Sequence, residues 1–203
     1  MLVTEGYDDA GNPVYTFSDK AKLTIHCDQD PPDPREWDNL GKMVCWHPSY
    51  NLGDEQICKT DFSDADAVLA DLKSEFDIAV SLPLYLYDHS GITMNTTGFS
   101  CPWDSGQVGW IFCTKEQVEL EFKGDVEKVK AYLVEEVKVY NQYLTGDVYG
   151  FVLKYPPCMR CGGDTAADNS CWGFYGFDIL DNGVLDCIDT KYCDALKEML
   201  SDC

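Results

Sequence analysis

The stretch LPLYLYDHSGITMNTTGFSCPWDSGQVGWIF, residues 82–112, carries no lysine, arginine or glutamate in a chain of formal charge −21. Its only charged residues are Asp88 and Asp104. Two apolar runs, DIAVSLPLYLY (77–87) and QVGWIFCT (107–114), flank a shorter one, ITMNTT (92–97). Runs of this kind bounded by DHSG (88–91) and GFSCPWDSG (98–106) read as strands joined by turns. In DHSG the Asp and Ser bond their own backbone, and Gly91 is expected to take the positive φ. The first run is apolar almost throughout, which places it at the centre of a sheet, and the lack of charge is what burial requires.

Working outward, NPVYTF (12–17), KLTIHC (22–27) and KMVCWH (42–47) read as further strands. DQDPPDPREWDN (28–39) and PSYNLGDEQICK (48–59) read as loops, the first because of its prolines. SDADAVLADLKSEF (63–76) is an amphipathic helix, with Ser63 as N-cap and Asp66 three residues on. Thr114 and Gln117 match a capping box for a short helix. The longest helix covers 125–144, with Val126, Val129, Leu133, Val137, Tyr140 and Leu144 at helical spacing and Gly146 as its stop. DVYGFVLKY (147–155) and SCWGFYGFDI (170–179) form a hairpin across PPCMRCGGDTAADN, and a last helix runs from Val184 to Leu200. Strands and helices mix without βαβ regularity. The expected fold is therefore α+β, a largely antiparallel sheet backed by about three helices. At 203 residues the chain is expected to form a single domain, 1–203, with a Cys-rich hairpin insertion at 156–170.

Hydrophobic residues make up 45% and aromatics 13%, enough to build a core. No apolar run approaches the ~20 residues that cross a bilayer, and the start lacks the basic and apolar regions of a secretion signal. The 11 cysteines are odd in number and mostly solitary, so they are read as mainly reduced, buried side chains in a cytoplasm. The 36 acidic residues outnumber 15 basic ones, and the excess is spread over loops and both terminal thirds. Such a surface disfavours nucleic acid and anionic membranes and favours cationic partners, divalent metals or a protein with a basic surface, where it does more than confer solubility.

Three constellations carry possible chemistry. His89, Cys101 and Asp104, with Asp88 and Ser90, supply the parts of a nucleophile, a base and an orienting group, though turn formation accounts for several of them equally well. His26, Asp28, Asp30, His47, Asp54 and His89 have the donor types for a transition metal but no ligand spacing. Cys158 and Cys161 have Cys-x-x-Cys spacing, and Cys171, with Cys187 or Cys193, would complete a structural zinc site; the alternative is free thiols or a redox pair. For partner binding the candidates are Asp28, Asp30, Asp33 and Asp54 on acidic loops, with Trp37 and Trp103 as aromatic anchors.

The blocks REWDNLGKMVCWHPSYNLGD, LPLYLYDHSGITMNTTGFSCPWDSGQVGWIF, YNQYLTGDVYGF and SCWGFYG, spanning about Arg35 to Gly176, resemble those of a family of small acidic proteins encoded by bacteriophages and mobile elements. The resemblance carries no catalytic residue over. It implies an accessory protein, working in the host cytoplasm, that binds and inhibits a host nucleic-acid-handling or defence protein. Inhibitors of restriction and CRISPR systems, some of them DNA mimics, are of this kind.

Overall fold

The computed structural model describes residues 1–156, 163 and 168–201. The chain divides into two compact units, Met1–Pro32 with Gly146–Cys203, and Asp33–Thr145. The architecture is α+β and mainly antiparallel, as the pattern of elements implies. The strands build two five-stranded sheets, one in each unit, where a single sheet was expected.

In the Asp33–Thr145 unit the elements are β4 (Lys42–Cys45), β5 (Glu55–Gln56), α1 (Ala65–Glu75), β6 (Ile78–Asp88), β7 (Ile92–Asn95), β8 (Ser105–Thr114), α2 (Lys115–Phe122) and α3 (Val126–Thr145), numbered by chain order. The sheet order is β5-β4-β8-β6-β7, and only the two-residue β5 runs parallel to its neighbour. β8 is central and covered on both faces. Ile111 and Cys113 pack with Val129, Leu133, Val137 and Tyr140 of α3, while Trp110 and Phe112 pack with Val68 and Leu72 of α1. Double coverage explains the unbroken apolar run in β8, because neither face has a solvated position to fill. The close approach of β4 requires Gly109. A Cβ there would stand 2.7 Å from the Val44 carbonyl oxygen and 2.8 Å from Cys45 Sγ.

Local chemistry sets the ends of these elements. Thr114 and Gln117 form the expected capping box. α3 stops at Gly146, which takes φ +72°. Two expectations are corrected. The N-cap of α1 is Asp64, whose carboxylate accepts from Ala67 N–H at 2.8 Å, while Ser63 Oγ turns to Asp64 instead. In the 88–91 turn Ser90, not Gly91, holds the left-handed conformation, at φ +60°.

The other unit combines the two ends of the chain. β1 (Val3–Tyr7), β2 (Pro13–Phe17), β3 (Lys22–Cys27), β9 (Val148–Lys154) and β10 (Asn169–Tyr175) pair antiparallel in that order. Alternate residues Tyr15, Phe17, Leu23, Ile25, Phe151 and Leu153 point inward. They meet Tyr192, Cys193, Ala195 and Leu196 of α4 (Thr190–Ser201). The final helix is shorter than expected. Val184–Cys187 is a separate 3-10 turn, and Ile188 is extended before α4 begins.

Candidate functional site

The turn after β6 and the loop before β8 bring His89, Cys101 and Asp104 together, as the sequence suggested. The backbone of Asp88 donates to the Asp104 carbonyl at 2.8 Å and fixes the two loops side by side. His89 Nδ1 lies 3.3 Å from Asp104 Oδ2, and the Cys101 thiol donates to the same oxygen at 3.7 Å. Ser105 Oγ–H closes the loop by donating to the Cys101 carbonyl. The carboxylate therefore stands between thiol and imidazole, and Cys101 makes no hydrogen bond to His89. A thiol nucleophile needs the base itself within reach, so these parts converge without forming that relay.

A second loop faces this cluster from 46–50. His47 Nδ1 accepts the backbone N–H groups of Ser49 and Tyr50, and its ring stacks on Tyr50 at 4.7 Å. Tyr50 Oη–H donates to Asp88 at 3.3 Å, a bond that raises the phenol above its usual range. His47, Asp88, Trp103 and Asp104 line an open cleft of about 330 Å³. Trp103 is 91% exposed at its rim. Two carboxylates and an exposed indole, in a stretch without lysine or arginine, suit a cationic side chain entering from outside.

The remaining candidates are placed differently. Asp54 is occupied internally: Arg35 Nε and Nη2 donate to its two oxygens at 2.8 and 2.7 Å. Asp33 accepts Arg35 N–H as a helix cap, and Asp28 accepts Asp30 N–H within its own loop. Asp30, Trp37 and Trp103 are exposed. Asp28 and Asp30 lie in one unit, and Asp33, Trp37, Asp54 and Trp103 in the other.

Arg35 is the residue that sequence reasoning missed. Its side chain is only 5% exposed and also reaches Glu136 at 3.3 Å and the Gly41 carbonyl at 2.6 Å. Glu136 accepts in addition from Leu40 and Gly41 N–H. Asp54 accepts from Met43 N–H. This network fastens the proline-rich loop to β4 and α3. The available signal was a solitary base inside a run of acids.

Among the described residues no group of three or more His, Cys, Asp or Glu side chains is arranged to hold a metal; His26 lies in one unit, His47 and His89 in the other. Cys158 and Cys161 lie outside the described residues. Cys171 sits on β10, and burial, with the nearby Cys171 thiol second, raises the Cys187 thiol. Cys45, Cys113 and Cys193 are buried, but Cys27, Cys58 and Cys187 are exposed, a correction to the mainly buried expectation. Burial pushes the Cys45 thiol up to about 12 and the Cys113 thiol to about 11, which makes both poor nucleophiles. No described helix is long and apolar enough to cross a membrane.

Comparison of the chain with protein-family models, curated proteins and solved structures gives no match.

Proposed function

We propose that this protein is a non-enzymatic acidic binding module that occupies the basic, nucleic-acid-binding surface of another protein. The setting implied by the sequence blocks is a phage or mobile element acting on a host nucleic-acid-handling or defence protein. One observation carries the reading: the chain has 36 acids against 15 bases, and among the described residues the acids lie at the surface, apart from the inward network of Arg35 with Glu136 and Asp54. The region of α1 displays exposed Asp61, Asp64, Asp66, Asp71 and Glu75, and the cleft beside Trp103 adds Asp88 and Asp104. Carboxylates on a folded scaffold displace counterions from a basic groove much as phosphates do, and the field of −21 charges steers the encounter.

The test is a pull-down from host lysate across a salt series, with and without nuclease, followed by competition between the recovered partner and duplex DNA. A partner that is lost at high salt, indifferent to nuclease and unable to hold DNA and this protein together fits the proposal. A partner that binds both at once, or a complex unchanged by Asp66→Lys with Asp71→Lys and Glu75→Lys, defeats it.

The meeting of His89, Cys101 and Asp104 on adjacent loops is the observation behind a second reading, a cysteine-dependent enzyme. His89→Ala would then abolish turnover of its substrate while leaving the melting temperature unchanged.

A further inference from the structure

The outward face of the sheet formed by β1, β2, β3, β9 and β10 encloses an open concavity of about 620 Å³. Thr4, Thr16, Lys22, Thr24, His26 and Lys154 line it. Lys22 and Lys154 stand directly opposite each other across β3 and β9. Like charges in that position repel. Neither ammonium forms an ion pair with a carboxylate among the described residues, although the chain has acids to spare. The register puts no Asp or Glu at the outward positions of β2, β3, β9 or β10. Of the acids at the rim, Asp8 is occupied with the N–H groups of Ala10 and Asn12, and Glu5 lies on the edge strand.

The opposite end of the same face is aromatic. Trp172 of β10 lies over Gly150 of β9, so closely that a Cβ there would fall 2.1 Å from the indole. The ring is 49% exposed and is stacked at 6.0 Å from His26. Gly150 and Lys154 are four residues apart on one strand, so platform and lysine pair are separated by about 14 Å at ~3.4 Å per residue.

We propose that this face binds a nucleotide, with its planar base on Trp172 and His26 and its phosphates between Lys22 and Lys154. Ammonium groups and the hydroxyls of Thr16 and Thr24 donate to phosphate oxygens, and the indole face accepts a flat ring. The ligand is a free nucleotide and not a strand, because the field of the whole chain opposes a long polyanion. This site is independent of the acidic docking surface, and either can fail without the other.

Calorimetric titration of the full chain at low ionic strength, with ATP, tripolyphosphate and adenosine as separate probes, tests it. ATP is expected to bind more tightly than tripolyphosphate, and adenosine least. Lys22→Ala with Lys154→Ala should weaken ATP by about tenfold or more, the loss of at least one charge-assisted hydrogen bond. The same double variant should melt no lower than the parent, since a repulsive pair is removed. Trp172→Ala should reduce ATP to the level of tripolyphosphate and leave tripolyphosphate unchanged. Absence of ATP binding at millimolar concentration, or equal ATP affinity in the double lysine variant, overturns the site. Equal binding of ATP and tripolyphosphate in the parent overturns the ring platform.

Discussion

Replacing Arg35 by methionine removes the centre of the network that joins the proline-rich loop to β4 and α3. The guanidinium is 5% exposed, and its two carboxylate partners, Asp54 and Glu136, are 24% and 16% exposed. Removing one member of a well-buried ion pair costs ~3–5 kcal/mol, because the other charge stays desolvated. Here each carboxylate keeps backbone donors, from Met43 for Asp54 and from Leu40 and Gly41 for Glu136. The lower end, about 3 kcal/mol, is the expected loss. Arg35→Lys keeps the charge but not the two-pronged contact to Asp54 and should lose about 1–2 kcal/mol. The penalty also has a pH signature. Burial raises the Glu136 carboxyl above its ordinary value, opposed by the Leu40 N–H and by the charge of Arg35. Without Arg35 it rises further. A carboxyl raised on folding favours the protonated state, so its cost is absent below the unfolded value and grows as pH climbs through the folded one. The difference between variant and parent should therefore be largest near neutrality and shrink as the pH falls toward the ordinary carboxyl range. Urea denaturation followed by tryptophan emission is the assay, since Trp37, Trp46, Trp103 and Trp110 all belong to this unit. A loss below about 1 kcal/mol, the worth of an exposed pair, or a penalty that grows in acid, would refute the argument.

Gly109→Ala should cost about 2 kcal/mol by forcing β4 away from β8, read from the same denaturation curves. Asp64→Ala should destabilise by about 1 kcal/mol while Ser63→Ala changes little, which separates the observed N-cap from its neighbour. Treatment with a thiol oxidant should join Cys171 to Cys187, two thiols giving up two protons and two electrons to the reagent. Peptide mass mapping would find that disulfide in the parent and not in Cys187→Ser.

Much of the fold is legible in the sequence, for reasons that also explain the failures. Strands with strict alternation, such as β2 and β3, and the long α3 declare themselves because one face is buried and the other wet. β8 declares itself by apolar continuity. β1 does not, because VTEGY mixes an acid and a glycine into an edge strand whose outer side is solvated. The number of sheets was hidden as well. Period 2 says that a strand is half-buried but not which strands share a layer, and β3 finds β9 more than a hundred residues away. At the site, the loops around Asp88 and Asp104 were legible as turn chemistry, and their meeting follows from β6 and β8 being neighbours. Arg35 and Asp54 were read as loop residues on an acidic surface. Their pairing depends on a packing arrangement that local composition does not encode.

The sheet holding β1, β2, β3, β9 and β10 takes its first three strands from before residue 33 and its last two from after residue 145. On the ribosome this separates the two units in time. The Asp33–Thr145 unit is contiguous and can close as soon as α3 emerges, whereas β3 must wait with an unpaired edge until β9 is made. At ~5–20 residues per second the delay lasts seconds, and pairings of such long sequence separation are intrinsically slow. Until then the three-strand meander exposes both an open hydrogen-bonding edge and the apolar side chains that α4 will cover. Synthesis, more than the finished molecule, is where this chain is most exposed to aggregation and proteolysis.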